Sequence, residues 1–120
     1  MKFLWSTINV NNMEESLAFY REVVGLAVSR SFKTPEGMEI AFLGSEETKV
    51  ELVYSPDRKA PGNVNGISLG FEVASLDHEM EFVKNKGIEI ESGPFQPNPH
   101  TSFFYVKDPN GITIQFVENM

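Results

Sequence analysis

Val50-Glu51-Leu52-Val53, in the middle of the chain, returns near its end as Ile114-Gln115-Phe116-Val117. The match extends outward. Phe42 ahead of the first copy corresponds to Val106 ahead of the second. Ala18-Phe19-Tyr20 with Gly25-Leu26 is echoed by Glu81-Phe82-Val83 with Gly87-Ile88, and Ile8-Asn9-Val10 by Phe71-Glu72-Val73. The offset is roughly 63 residues throughout, a fixed-period self-similarity that marks a duplicated module. Two such modules in a 120-residue chain are each too short to bury a good core alone. They are expected to pack together or against another chain, with the functional site at the seam.

Within each copy the pattern reads β-α-β-β-β. Residues 3–10 alternate, with Leu4, Ile8 and Val10 on one face and Trp5, Thr7 and Asn9 on the other. Asn12 followed by Glu15 has the spacing of a capping box. Met13, Leu17, Tyr20 and Val24 then recur at helical spacing, which predicts a helix over 13–24 stopped by Gly25. Strands are expected at about 26–33, 38–43 and 48–54. Residues 55–66, rich in Pro, Gly and Asn, read as a linker between modules 1–54 and 67–120 of a single domain.

The second copy repeats this order. A strand carries Ile67, Leu69, Phe71 and Val73, and Ser75 caps a helix bearing Leu76, Met80 and Val83, with Phe82, like Phe19, expected in the core. Strands follow at about 88–91, 102–107 and 112–117. The first two are separated by a loop containing Gly93, Pro94, Pro97 and Pro99, and the last two by the turn Asp108-Pro109-Asn110-Gly111.

The period of two then sorts the strand residues. Leu4, Ile8, Val10, Val50, Leu52, Leu69, Phe71, Phe104, Val106, Ile114 and Phe116 form the core under the helices. The opposite face carries Trp5, Thr7, Asn9, Glu51, Val53, Ser68, Gly70, Glu72, Phe103, Tyr105, Thr113 and Gln115. Its mixture of aromatic and polar side chains suits a cleft for a small-molecule ligand.

Composition narrows the partners. A formal net charge of −7, with ten scattered basic residues, argues against nucleic acid and anionic membranes. Without cysteine there is no disulfide, thiolate metal site or thiol nucleophile. Met1-Lys2-Phe3-Leu4-Trp5 lacks the long apolar stretch of a secretion signal, so a cytoplasmic protein is expected. No Gly-rich phosphate loop and no Ser-His-Asp arrangement is visible.

The paired modules, together with Ser16-x-x-Phe19-Tyr20…Gly25-Leu26 and Asp108-Pro109-Asn110-Gly111-x-x-x-Gln115, resemble the vicinal oxygen chelate superfamily. That superfamily includes glyoxalase I, bleomycin-resistance proteins, extradiol dioxygenases and fosfomycin-resistance enzymes. The resemblance implies an α+β fold with curved mixed sheets, helices outside, a cleft inside, and a homodimer. It also implies four equivalent ligand positions on strands, occupied in glyoxalase I-like metalloenzymes by His or Gln, Glu, His and Glu. Here those positions carry Trp5, Glu51, Ser68 and Gln115.

Only Glu51 is a strong donor. Indole nitrogen carries a proton and cannot coordinate, a neutral serine hydroxyl is poor, and an amide oxygen is weak. No metal or other cofactor is therefore expected.

Trp5 is either a stacking surface for a planar ligand or a filler of the vacated space. Glu51 is either a surviving general base, the candidate catalytic residue, or an idle carboxylate bonded to Gln115. His78 reads as a surface residue. His100, in the Pro-rich loop before the strand of Phe103 and Tyr105, is a candidate ligand contact. Thr7, Asn9, Ser68, Glu72, Phe103, Tyr105 and Gln115 complete the expected ligand-binding set.

Three functions compete: metal-independent binding of a small, partly aromatic ligand; a divalent-metal lyase, isomerase or dioxygenase; and a non-catalytic dimeric interaction domain. Whether the protein is an enzyme is left open by the sequence.

Overall fold

The computed structural model describes all 120 residues. The chain divides into two compact units, Met1–Pro61 and Gly62–Met120.

In the first unit, strand β1 (Trp5–Val10) leads into helix α1 (Met13–Ala18), which continues as a π-helical turn over Phe19–Val23. Strands β2 (Val28–Lys33), β3 (Glu39–Leu43) and β4 (Lys49–Tyr54) complete it. The sheet order is β1-β4-β3-β2, with β1 and β4 parallel and the other pairs antiparallel. Asn12 caps α1 as its spacing suggests, its side-chain oxygen accepting the Glu15 N–H at 3.0 Å. Leu26 N–H donates back to the Tyr20 carbonyl at 2.9 Å, and Gly25 takes the left-handed conformation (φ +87°) that this termination needs.

Ser16, Phe19, Tyr20 and Val23, at the i, i+3, i+4 and i+7 spacing of one helical face, are buried beside Met13. Leu17 and Val24, expected in the buried stripe, are half-buried.

The second unit repeats the first. Strand β5 (Ser68–Glu72) leads into helix α2 (Leu76–Asn85), followed by β6 (Ser92–Asn98), β7 (Thr101–Lys107) and β8 (Thr113–Asn119), in the order β5-β8-β7-β6. Ser75 caps α2 through the His78 N–H, and Glu118 on β8 accepts the Leu76 N–H at 2.6 Å. A carboxylate is thereby set at the helix end where the backbone dipole favours negative charge.

The expected strand at 88–91 is not formed; β6 instead runs through the Pro-rich stretch that reads as a loop. It can do so because β6 is the outer strand of its sheet, where a residue lacking N–H is tolerated. It pairs with β7 only at Ser92, Phe95 and Asn98, and Pro94 and Pro97 fall in the unpaired intervals.

The turn Asp108-Pro109-Asn110-Gly111 is tightly built. The buried Asp108 carboxylate accepts the backbone N–H groups of Asn110 and Ile112, each at 2.8 Å, and the Asn110 amide at 3.1 Å. Gly111 (φ +83°) lies so close to the backbone of Gly62 that a Cβ there would stand 2.2 Å from the Gly62 oxygen.

The buried residues Ile8, Val10, Val50 and Leu52 of the first unit, and Phe104, Val106, Ile114 and Phe116 of the second, are the core expected from parity. Five residues depart from it. Leu4 is 52% exposed because it precedes β1 at the sheet margin. Leu69 and Phe71 are only half-buried, since α2 lies on β7 and β8 and β5 is the outer strand. Val53, assigned by parity to the open face, is buried between Asn9 and Ile40 on the flanking strands. Phe82 is exposed; it neighbours the buried Val83 on the outer side of α2, and the Lys86 ammonium lies 5.6 Å from its ring centre.

No helix is long and apolar enough to cross a membrane.

Candidate functional site

Each sheet has one face covered by its helix and one open face. On the first unit's open face, β1 and β4 run in register, so Thr7 stands beside Glu51 and Asn9 beside Val53. The Thr7 hydroxyl donates to Glu51 Oε1 at 2.5 Å. That bond occupies one oxygen of the carboxylate and fixes the side chain against the sheet. Glu51 also faces Phe42 across the antiparallel pair, and Phe42 in turn faces Arg30.

Trp5, 44% exposed, packs edge-on against Phe42 with ring centres 5.0 Å apart. The Arg30 guanidinium lies over Phe32 and Phe42, 5.0 and 5.9 Å from the ring centres. Asn9 accepts from Arg58 Nη2 at 2.5 Å, so a linker side chain reaches back to the sheet. The result is an aromatic floor of Trp5, Phe42 and Phe32 with one oriented carboxylate and two guanidinium groups.

Sequence reasoning found Trp5, Thr7, Asn9 and Glu51 but missed Phe42, Phe32, Arg30 and Arg58. The first three follow from extending the same alternation to β2 and β3. Arg58 lies outside any strand and carries no such signal.

The second unit's open face is aromatic on one side and bare on the other. Phe95, Phe103 and Tyr105 form a mutual cluster with ring centres 5.6–6.2 Å apart. Gln115 Nε2 donates to the Tyr105 hydroxyl at 3.4 Å. Ser68 and Gly70 on β5 present little side chain, and a Cβ at Gly70 would meet Gln115 Oε1 at 3.3 Å. Glu72 accepts from Asn119 Nδ2 at 2.7 Å.

Phe95 falls in the Pro-rich stretch that reads as a loop, so parity assigns it no face. His100 lies directly before the strand of Phe103 and Tyr105, as read from the sequence. It sits at the tip of the β6–β7 hairpin, exposed, its backbone N–H held by Asn98 and its carbonyl by Met120. His78 is exposed on α2, as read from the sequence. The bond partner of Glu51 is Thr7 and that of Gln115 is Tyr105.

The four positions that the resemblance assigns to a metal do not fit one. A divalent transition ion wants several imidazole or carboxylate donors at about 2.0–2.2 Å. Trp5 turns a ring, not a lone pair, to its surroundings. Glu51 is the one carboxylate among the four, with one oxygen accepting the Thr7 hydroxyl, and Gln115 offers only a neutral amide oxygen. In neither unit do three or more His, Asp or Glu side chains gather as a metal site.

Paired β-α-β-β-β units with identical strand order, each sheet keeping one face free for polar and aromatic side chains, define a duplicated-module α+β protein. The family model for the Glyoxalase/Bleomycin resistance protein/Dioxygenase superfamily matches residues 2–116, and the chain belongs to that superfamily. It is 33% identical to a lactoylglutathione lyase of Neisseria meningitidis, over 98% of this chain and 91% of that protein. Among solved structures, the trypanothione-dependent glyoxalase I of Leishmania major superposes with a TM-score of 0.84 at 21% identity, covering 98% of this chain and 86% of that one. An antibiotic-binding protein from Streptomyces sp. CB03234 superposes with a TM-score of 0.78 at 20% identity, covering 100% and 97%. The structural likenesses establish the shared fold.

Proposed function

We propose that this protein binds a small, partly aromatic organic ligand on the open face of its sheet without the help of a metal ion. The observation that carries this reading is Trp5. It occupies the first-strand ligand position with a half-exposed ring braced edge-on by Phe42. A rigid indole gives contact area at small entropic cost and favours planar partners. Thr7 orients Glu51 so that its second oxygen can accept a hydrogen bond from a ligand donor. The antibiotic-binding protein with the same fold makes ligand capture a reasonable use of the architecture. The reading includes a cytoplasmic homodimer, which light scattering and cell fractionation check.

A second reading has one observation in its favour, the 33% identity to a protein named lactoylglutathione lyase. It is a metal-dependent lyase with Glu51 as the surviving acid–base group. The donor set at Trp5, Ser68 and Gln115 weighs against it.

Trp5 is the sole tryptophan, so its emission reports directly on the site. Titration with a panel of planar aromatic compounds is expected to shift or quench it saturably. A panel that leaves the emission unchanged, alongside chelator-sensitive lyase turnover, would overturn the proposal in favour of the second reading.

A further inference from the structure

Arg30 is an unusual cation in this molecule. The chain carries a formal charge of −7, and its ion pairs join Lys2 to Glu47, Lys33 to Glu39 and Lys107 to Glu91. Arg30 is in none of them. Its guanidinium lies over the rings of Phe32 and Phe42 on the open face, and the residue is exposed. No hydrogen bond or ion pair engages its N–H fork, which can receive a carboxylate through two parallel hydrogen bonds. The cation is therefore held in place, and its donors have no partner in the protein.

The surroundings set what could approach it. Arg30 and Phe42 are cross-strand partners, as are Phe42 and Glu51, so Phe42 stands between the cation and the carboxylate. With strands about 4.8 Å apart, the backbones at Arg30 and Glu51 are separated by roughly 10 Å. Arg30 makes no ion pair with Glu51, one oxygen of which is engaged by Thr7. The ring of a ligand reaching from Arg30 toward β1 would lie along Phe42 and Trp5, which are already in contact.

We infer that the ligand of this face is an aromatic carboxylate, its anionic group received by the fork of Arg30 and its ring resting on Phe42 and Trp5. The inference rests on the reading of this face as a ligand site and adds the ligand's charge.

Calorimetric titration of the full-length protein with 2-naphthoate and with the uncharged 2-naphthamide separates the two claims. The native protein is expected to bind the acid about tenfold or more tightly than the amide, the margin of a charge-assisted bidentate pair. Arg30→Met keeps the apolar stem of the side chain. It is expected to lose that preference, acid and amide then binding alike, and Arg30→Lys to retain part of it. Thermal melts accompany both variants, and the native acid-to-amide ratio needs no variant at all. Equal binding of acid and amide by the native protein would overturn the inference and leave the ligand site standing. A preference that survives in a folded Arg30→Met would also overturn it. Binding of neither compound would remove the inference together with the reading beneath it.

Discussion

At the scale of single residues, the site depends on contacts that alternation alone does not reveal. Trp5, Thr7 and Glu51 are legible from strand parity, but the hydroxyl-to-carboxylate bond and the edge-on contact with Phe42 depend on which strands are neighbours. Trp5→Leu is expected to leave stability nearly unchanged, because the ring is half exposed, while weakening aromatic ligands about tenfold, as loss of an aromatic anchor does. Calorimetry with matched melting curves checks both halves. Gly111 answers to the backbone. Its positive φ and its closeness to Gly62 leave no room for a methyl group, so Gly111→Ala is expected to cost about 2 kcal/mol or more in urea unfolding. The DPNG turn signals its glycine in the sequence; the partner that crowds it, from the linker, does not.

At the scale of elements, the two departures from expectation have specific causes. Proline normally argues against a strand, yet β6 accommodates Pro94 and Pro97 because it is the outer strand and pairs only at every third residue. Edge position is a property of the sheet, so one stretch of sequence cannot announce it. Likewise, the buried stripe of the first helix includes a serine, Ser16, which hydrophobic spacing does not flag, and so it passes through Phe19, Tyr20 and Val23 rather than Leu17 and Val24. Helix starts were legible because capping is local chemistry. Asn12→Ala is accordingly expected to cost about 1 kcal/mol through loss of the bond to the Glu15 N–H, measured by denaturant unfolding.

The second helix has a pH signature. Burial raises the Glu79 carboxyl above its ordinary value, so the folded state holds this proton more tightly than the unfolded one. Stability attributable to Glu79 should therefore be greatest below the ordinary value of 4.5 and should decline as pH rises through the raised one. Glu79→Gln is expected to flatten that part of the stability–pH curve, and an unchanged slope would contradict the assignment.

At the scale of the whole molecule, the duplication was the most legible feature, because repeated hydrophobic spacing survives where individual side chains have diverged. Both units reproduce the same strand order, and the superfamily match spans nearly the entire chain. What repetition does not convey is chemistry. The four positions that the resemblance assigns to metal ligands carry indole, carboxylate, hydroxyl and amide here, and Arg30 comes from β2, a strand exposed along its whole length that gives no alternation of buried and exposed residues.

Whether an organic ligand or a metal ion is the natural occupant decides between the two readings of the site. Elemental analysis of the untagged protein, purified without chelator, addresses this most directly. Zinc, nickel, iron and manganese are expected well below one ion per chain; a stoichiometric content of any of them, retained through dialysis, would contradict the account.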